Sequence, residues 1–166
     1  MPPLEPQARR PLPVEQSTDF ERVLRARSLA QTQHFAVHHL PDRPSLSARA
    51  RRAAISRKLS TGDAPEAVKP VDDLPIQLWV GAVVPKRHAR RAVTRSLLKR
   101  QIRSVAERHA EALAGGLWVV RLRAPFDKSR FPSAASDVLK RVARDELEAL
   151  FDTATQAAVR PSVQGA

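Results

Sequence analysis

IQLWVGAVVPKRHARRAVTRSLLKRQIR, residues 76–103, joins an apolar run to a basic one. Ile76 to Val84 reads as a strand. Ile76, Leu78, Val80, Ala82 and Val84 share one face, with Trp79 and Val83 on the other. Apolar residues on both faces mark an interior strand, and Gly81 leaves room for a close approach to its backbone. From Lys86 to Arg103 no acidic residue occurs, while Lys86, Arg87, Arg90, Arg91, Arg95, Lys99, Arg100 and Arg103 do. Thr94 is a reasonable N-cap for a helix running to about Ala114, stopped by Gly115-Gly116. Leu98, Ile102, Val105, His109 and Leu113 fall on one sector of its wheel, the core face. Lys99, Arg100 and Arg103 lie together beside that sector.

This helix is charged against its own dipole. A helix N-terminus carries positive partial charge and favours carboxylates, yet its entry and first turns hold arginine and lysine with no acid to compensate. A local rule broken without local benefit points to a missing partner. Helix-end amides and arginine forks both take phosphate, so the partner expected is a polyanion. A solvated basic face is the bland alternative, and the length of the run, its lack of acids and its position weigh against it.

Working outward, Leu117 to Arg123 forms a further strand, with Arg121 and Arg123 on the face of Leu117 and Val119. Gln33 to Leu40 forms another, in which Phe35, Val37 and His39 share one face and His34, Ala36, His38 and Leu40 the other. A helix precedes it, with Thr18 and Glu21 as a capping box and Phe20, Val23 and Leu24 as its apolar stripe. Residues 133–151 give a last helix through Leu139, Val142, Leu147, Leu150 and Phe151. Residues 1–16 are proline-rich and read as a flexible tail, as does 152–166. Residues 41–74, broken by Pro41, Pro44, Gly62, Pro65 and Pro70, read as a basic insertion, with room for a short helix near 46–58. The order predicts one α+β domain over 17–151, a small sheet with three helices packed on it.

The chain has 166 residues, a net charge of +12 and no cysteine. The charge favours polyanionic partners. The absence of cysteine excludes disulfides and thiol chemistry and fits a reducing, cytoplasmic setting. No apolar run approaches the ~20 residues of a membrane span. His34, His38 and His39 cluster on one strand, but only His34 and His38 share a face and no third ligand is close in sequence, so no metal site is expected. No nucleophile elbow or glycine-rich phosphate loop occurs, and no catalytic residue is expected on this chain.

Val80-Gly81, Lys86-Arg87, Ala92-Val93, Arg95, Lys99-Arg100 and Ile102-Arg103 resemble the signature region of bacterial ribonuclease P proteins. Asp19-Phe20, Val23 and Phe35 upstream, and Val119-Val120 and Arg123 downstream, fit the same pattern. The resemblance covers roughly residues 17–40 and 76–151. The family's Arg-Asn-Arg triplet reads Arg95-Ser96-Leu97 here. The resemblance implies a two-layer α/β sandwich with a mixed sheet and a left-handed strand–helix–strand crossover. It implies RNA contact through Lys86, Arg87, Arg90, Arg91, Arg95, Ser96, Lys99, Arg100, Arg103 and Arg123. It also implies a cleft for the single-stranded 5′ leader of precursor tRNA near Phe20, Leu24, Phe35 and His38. From spacing alone, Phe20 and Phe35 read as core; only the resemblance puts them at the cleft. The function implied is that of the protein subunit of an endoribonuclease, one protein per RNA, whose catalytic RNA carries the chemistry and the Mg²⁺. The alternative is a noncatalytic RNA-binding protein, ribosomal or chaperone-like. A DNA-reading helix and a membrane-surface helix fit less well, because strands flank the basic helix and aromatic anchors are lacking.

Overall fold

The structure is a computed structural model that describes residues 9–60, 77–133 and 135–159. Five strands form one sheet: β1 (Leu12–Pro13), β2 (Ala30–Gln31), β3 (Phe35–Leu40), β4 (Leu78–Val83) and β5 (Gly116–Leu122), in the order β1-β4-β5-β3-β2. β1, β4 and β5 run parallel; β3 and β2 run antiparallel to their neighbours. Four helices accompany them: α1 (Ser17–Arg25), α2 (Ala48–Ser60), α3 (Ala92–Arg108) and α4 (Asp137–Val159). The class is α+β with a mixed sheet, as expected, and α3 is the connection between the parallel neighbours β4 and β5.

The period-two alternation divides the sheet into two unlike faces. Phe35, Val37, Leu78, Val80, Trp118, Val120 and Leu122 point to one, where α3 and α4 cover them. α3 contributes Leu98, Ile102, Val105 and Ala106; α4 contributes Ala143, Leu147, Leu150, Phe151 and Ala154. Both sets recur at helical spacing, so each helix buries one stripe. Trp118, fully buried, donates its indole N–H to the Ala114 carbonyl at 2.9 Å. The other face carries Leu117 and Val119 under α1, which buries Val23 and packs Phe20 and Leu24 alongside.

Several expectations are corrected. The helices number four among the described residues, because the basic insertion holds the 13-residue α2. The rest of that insertion, 61–74, lies outside the described residues, as do 1–8 and 160–166. Residues 9–16, read as tail, contribute β1 and the buried Val14, whose N–H bonds the Val80 carbonyl at 3.3 Å. Pro13 fits because an edge strand leaves one side of its backbone unpaired. α4 runs well past Phe151, held by buried Ala154. α1 begins at Ser17 with Gln16 as N-cap and no side-chain cap, so Thr18 lies inside the helix. α3 begins at Ala92 and ends at Arg108, before a turn in which the N–H groups of Ala112 and Leu113 bond the His109 carbonyl. Gly116 does not stop that helix. It starts β5 at φ 122°, where a Cβ would meet the Leu40 carbonyl oxygen at 2.5 Å.

Candidate nucleic-acid interface

The loop between β4 and α3 is built to present cations. The Pro85 carbonyl accepts the N–H groups of His88 and Ala89 at 3.0 and 3.1 Å, folding the chain into a turn anchored by buried Ala89. Arg95 reaches back from the first turn of α3 and donates to the carbonyls of Ala89 (3.0 Å) and Arg90 (2.7 Å). Part of its donor capacity therefore holds the loop, a role that sequence reading, which gave it wholly to RNA, missed. Lys86, Arg87, Arg90 and Arg91 are exposed on this fixed backbone, as are Ser96, Arg100 and Arg103 along α3; Lys99 is half-buried. Leu97, at the place of the family's second arginine, packs against the core.

The predicted cations do not all meet. Lys86 to Arg91 and the start of α3 form one patch. Arg90, Arg91 and Lys128 rim a cavity of about 430 Å³ floored by Phe126, Phe131 and Leu98. Arg103 lies toward the β1 edge, where it lines a separate hollow with Arg10 and Glu107. Arg10 was missed because its segment read as tail. Arg123 leaves the end of β5 and donates to the Thr32 carbonyl at 3.1 Å.

The α1 face has a different character. The Phe20 ring lies on Gly81, where a Cβ would meet its Cε1 at 2.4 Å, so only glycine lets the ring sit this low. Leu24, Leu40, Trp79 and Val83 are partly covered around it. His38 is buried, its Nδ1 bonded to the Ala26 carbonyl at 2.9 Å and its Nε2 without a partner among the described residues. Arg121 shares this face, and its buried Nε likewise has none. A buried polar nitrogen left unpaired costs about 1–3 kcal/mol; the Arg121 Nε–H calls for an acceptor, and His38 Nε2, with the ring's Nδ1–H given to the Ala26 carbonyl, calls for a donor. The two on one half-covered apolar face suit a ligand bearing ring surface with both a donor and an acceptor. Arg121, Trp79 and Val83 were absent from the expected cleft, although strand alternation had already put them on its face.

Phe35 is a correction. It is fully buried on the opposite face, edge-on to Phe126 at 6.0 Å, and cannot line a cleft under α1. Odd and even positions of one strand cannot share a face, so Phe20, Leu24 and His38 come together without it. His34 is a second correction: it precedes the strand and turns to Glu146 of α4, at 2.7 Å from Nδ1, while stacking on Phe126 at 4.0 Å.

Asp19 underlies the α1 face. It is fully buried, and it accepts the Ser45 N–H at 2.9 Å, the Ser45 hydroxyl at 2.7 Å and the Arg22 guanidinium at 2.8 Å. Burial works against its ionisation, but those donors outweigh it and hold the carboxyl below its ordinary value of 3.8. On the closed face, burial pushes His39 below 6.5, opposed by its hydrogen bond to the Gly115 carbonyl.

Comparison with known proteins fits this geometry. The family model described as Ribonuclease P matches residues 9–146. The ribonuclease P protein component of Ralstonia pickettii is 39 % identical over 84 residues, 51 % of this chain and 57 % of that protein. The one from Bordetella parapertussis is 37 % identical over 113 residues, 68 % of this chain and 86 % of that protein. The chain thus spans less than two thirds of some relatives it matches, 57 % and 60 % in the Ralstonia pickettii and Burkholderia pseudomallei proteins. The RNase P protein of Staphylococcus aureus shares the fold, with a TM-score of 0.52, 17 % identity, and coverage of 87 % of this chain and 96 % of that one. With 9–146 matched, all five described strands and all four described helices in whole or part, the chain belongs to the ribonuclease P protein family.

Proposed function

We propose that this chain is the protein subunit of a ribonuclease P. In that role it binds the catalytic RNA and the 5′ leader of precursor tRNA, and so promotes removal of the leader. One observation carries the reading: an acid-free basic loop and helix adjoin a half-covered apolar face that buries unpartnered nitrogens of His38 and Arg121. Lys86, Arg87, Arg90, Arg91, Ser96, Lys99, Arg100 and Arg103 contact the phosphates of the RNA subunit, with Arg95 shaping the loop. Phe20, Leu24 and His38, joined by Trp79 and Arg121, hold the single strand by stacking and by hydrogen bonds, Arg121 donating and His38 Nε2 accepting. Arg123, at the end of β5, bridges the two surfaces.

The chemistry belongs to the RNA and its Mg²⁺. The protein lowers phosphate repulsion between substrate and catalyst, and its effect is greatest where Mg²⁺ is scarce. One protein serves each RNA, in the cytoplasm. No helix among the described residues is long and apolar enough to cross a membrane.

The test is cleavage of a precursor tRNA by the cognate ribonuclease P RNA at low Mg²⁺, with and without the full chain. Correctly placed 5′ cleavage that depends on the protein is expected. Tight RNA binding without stimulation would leave a noncatalytic RNA-binding protein.

A further inference from the structure

α2 has a defined start and little cover among the described residues. Ser47 begins it: its hydroxyl accepts the Ala50 N–H at 3.1 Å and its carbonyl the Arg51 N–H at 2.9 Å. Beyond that, every side chain from Arg51 to Arg57, and Leu59, is exposed. A 13-residue helix standing alone in water is marginal. Like α3 it is charged against its dipole, with Arg49, Arg51 and Arg52 in its first turns and no acid there.

The pattern on its surface is specific. Residues 49, 52, 53, 56 and 57 share one face at i, i+3, i+4, i+7 and i+8. They read Arg, Arg, Ala, Ser, Arg. Arginines separated by small residues let the helix backbone come close to a polyanion. The helix is about 20 Å long, enough for several successive phosphates. Among the described residues, Ile55 and Leu59 are its exposed large apolar side chains, too little for anchoring on a lipid surface.

Its base is fixed rather than loose. Asp19 binds Ser45 through the backbone and the hydroxyl, while Arg22 bonds Asp42, the Arg43 carbonyl and Ser45. Asp19 directly precedes Phe20. One hollow of about 360 Å³, with Leu12, Glu15, Gln16, Asp19, Ser47 and Trp79 in its lining, runs from the α1 face to Ser47, just before α2.

We propose that α2 is a phosphate-gripping arm that takes the single-stranded leader as it leaves the α1 face by Trp79. This lengthens the footprint of the protein on precursor tRNA. It rests on the reading that the α1 face holds the leader.

The experiment measures the affinity of the assembled holoenzyme for precursor tRNAs with leaders of roughly 4 and roughly 16 nucleotides. The native chain is compared with the triple variant Arg49→Ala, Arg52→Ala, Arg57→Ala, whose alanines keep helix propensity. The native enzyme should bind the long leader roughly tenfold tighter than the short one. The variant should lose that increment, bind the short leader as before, and show a salt slope lower by about 2 on the long leader, at ~0.7 per phosphate contact. Equal weakening for both leaders would overturn the proposal in favour of contact with the RNA subunit. No change at either length would leave α2 a solvated face. Phe20→Ala keeps the underlying reading separate: if it leaves both affinities untouched, that reading fails. If it weakens both while the triple variant changes nothing, only the arm fails.

Discussion

Under α3 and α4 the sheet is closed: Phe35, Trp118, Leu122 and Phe151 are fully buried, and Trp118 satisfies its one polar atom. Under α1 the same strands are half covered, with Phe20, Leu24, Trp79 and Val83 partly open and two buried nitrogens unpaired among the described residues. Stability comes mainly from the first face, and the second retains the unpaired polar groups and open apolar surface that binding needs. Alternation along a strand allows this, since each residue serves one face only.

The contrast predicts unequal responses to truncation. Trp118→Ala should cost about 3–5 kcal/mol of unfolding free energy in urea titration, because it empties a fully buried site. Phe20→Ala should cost less than half as much and show its main effect in leader affinity. Equal losses of stability would mean that α1 closes a second core rather than a cleft.

Asp19 is the exception on the open face, since it latches the base of α2. Asp19→Ala should cost about 2–3 kcal/mol, with the Ser45 donors left unpaired, and should raise proteolytic cleavage between Asp42 and Ser47. Its folded pKa is lowered, so its contribution is present above the ordinary value of 3.8 and is lost as pH falls through the lowered one. Acid titration of the native chain against Asp19→Asn should therefore converge at low pH. A constant difference would remove the carboxylate from the account.

Arg121→Leu sharpens the comparison further. Removing this partly buried side chain, with its buried Nε unpaired among the described residues, should leave stability unchanged or raise it by up to about 1 kcal/mol. Leader affinity should fall roughly tenfold. A clear loss of stability would show that Arg121 serves the fold.

The smallest effect belongs to His39, stacked on Trp118 at 4.1 Å. Its folded pKa lies below 6.5, so the stability it supplies as a neutral ring is full above that value and declines as pH falls through the folded one. An NMR titration of the ring should show a midpoint below 6.5. A midpoint above it would show that the hydrogen bond to the Gly115 carbonyl outweighs burial of the ring.

Much of this was legible in the chain. Apolar alternation identified β3, β4 and β5, and the acid-free run identified α3, because both signals are local. The ends of helices were less so: Thr18 and Thr94 look like caps but lie inside α1 and α3, whose first turns are set by Gln16 and Arg91 in extended conformation without side-chain caps. β1 was illegible, since Leu12 and Pro13 become a strand only when β4 offers its edge.

The sequence by itself determined the charge of the chain, the residues that share each strand face, and the helix that carries cations against its dipole. These follow from composition and from periods of two and 3.6 residues. Only the tertiary structure decided which face each helix covers, and with it the burial of Phe35 away from Phe20. It also decided that Arg95 holds a loop, that Leu97 faces the core and that Asp19 reaches Ser45. Those outcomes depend on contacts between residues far apart in the chain, which local periodicity does not encode.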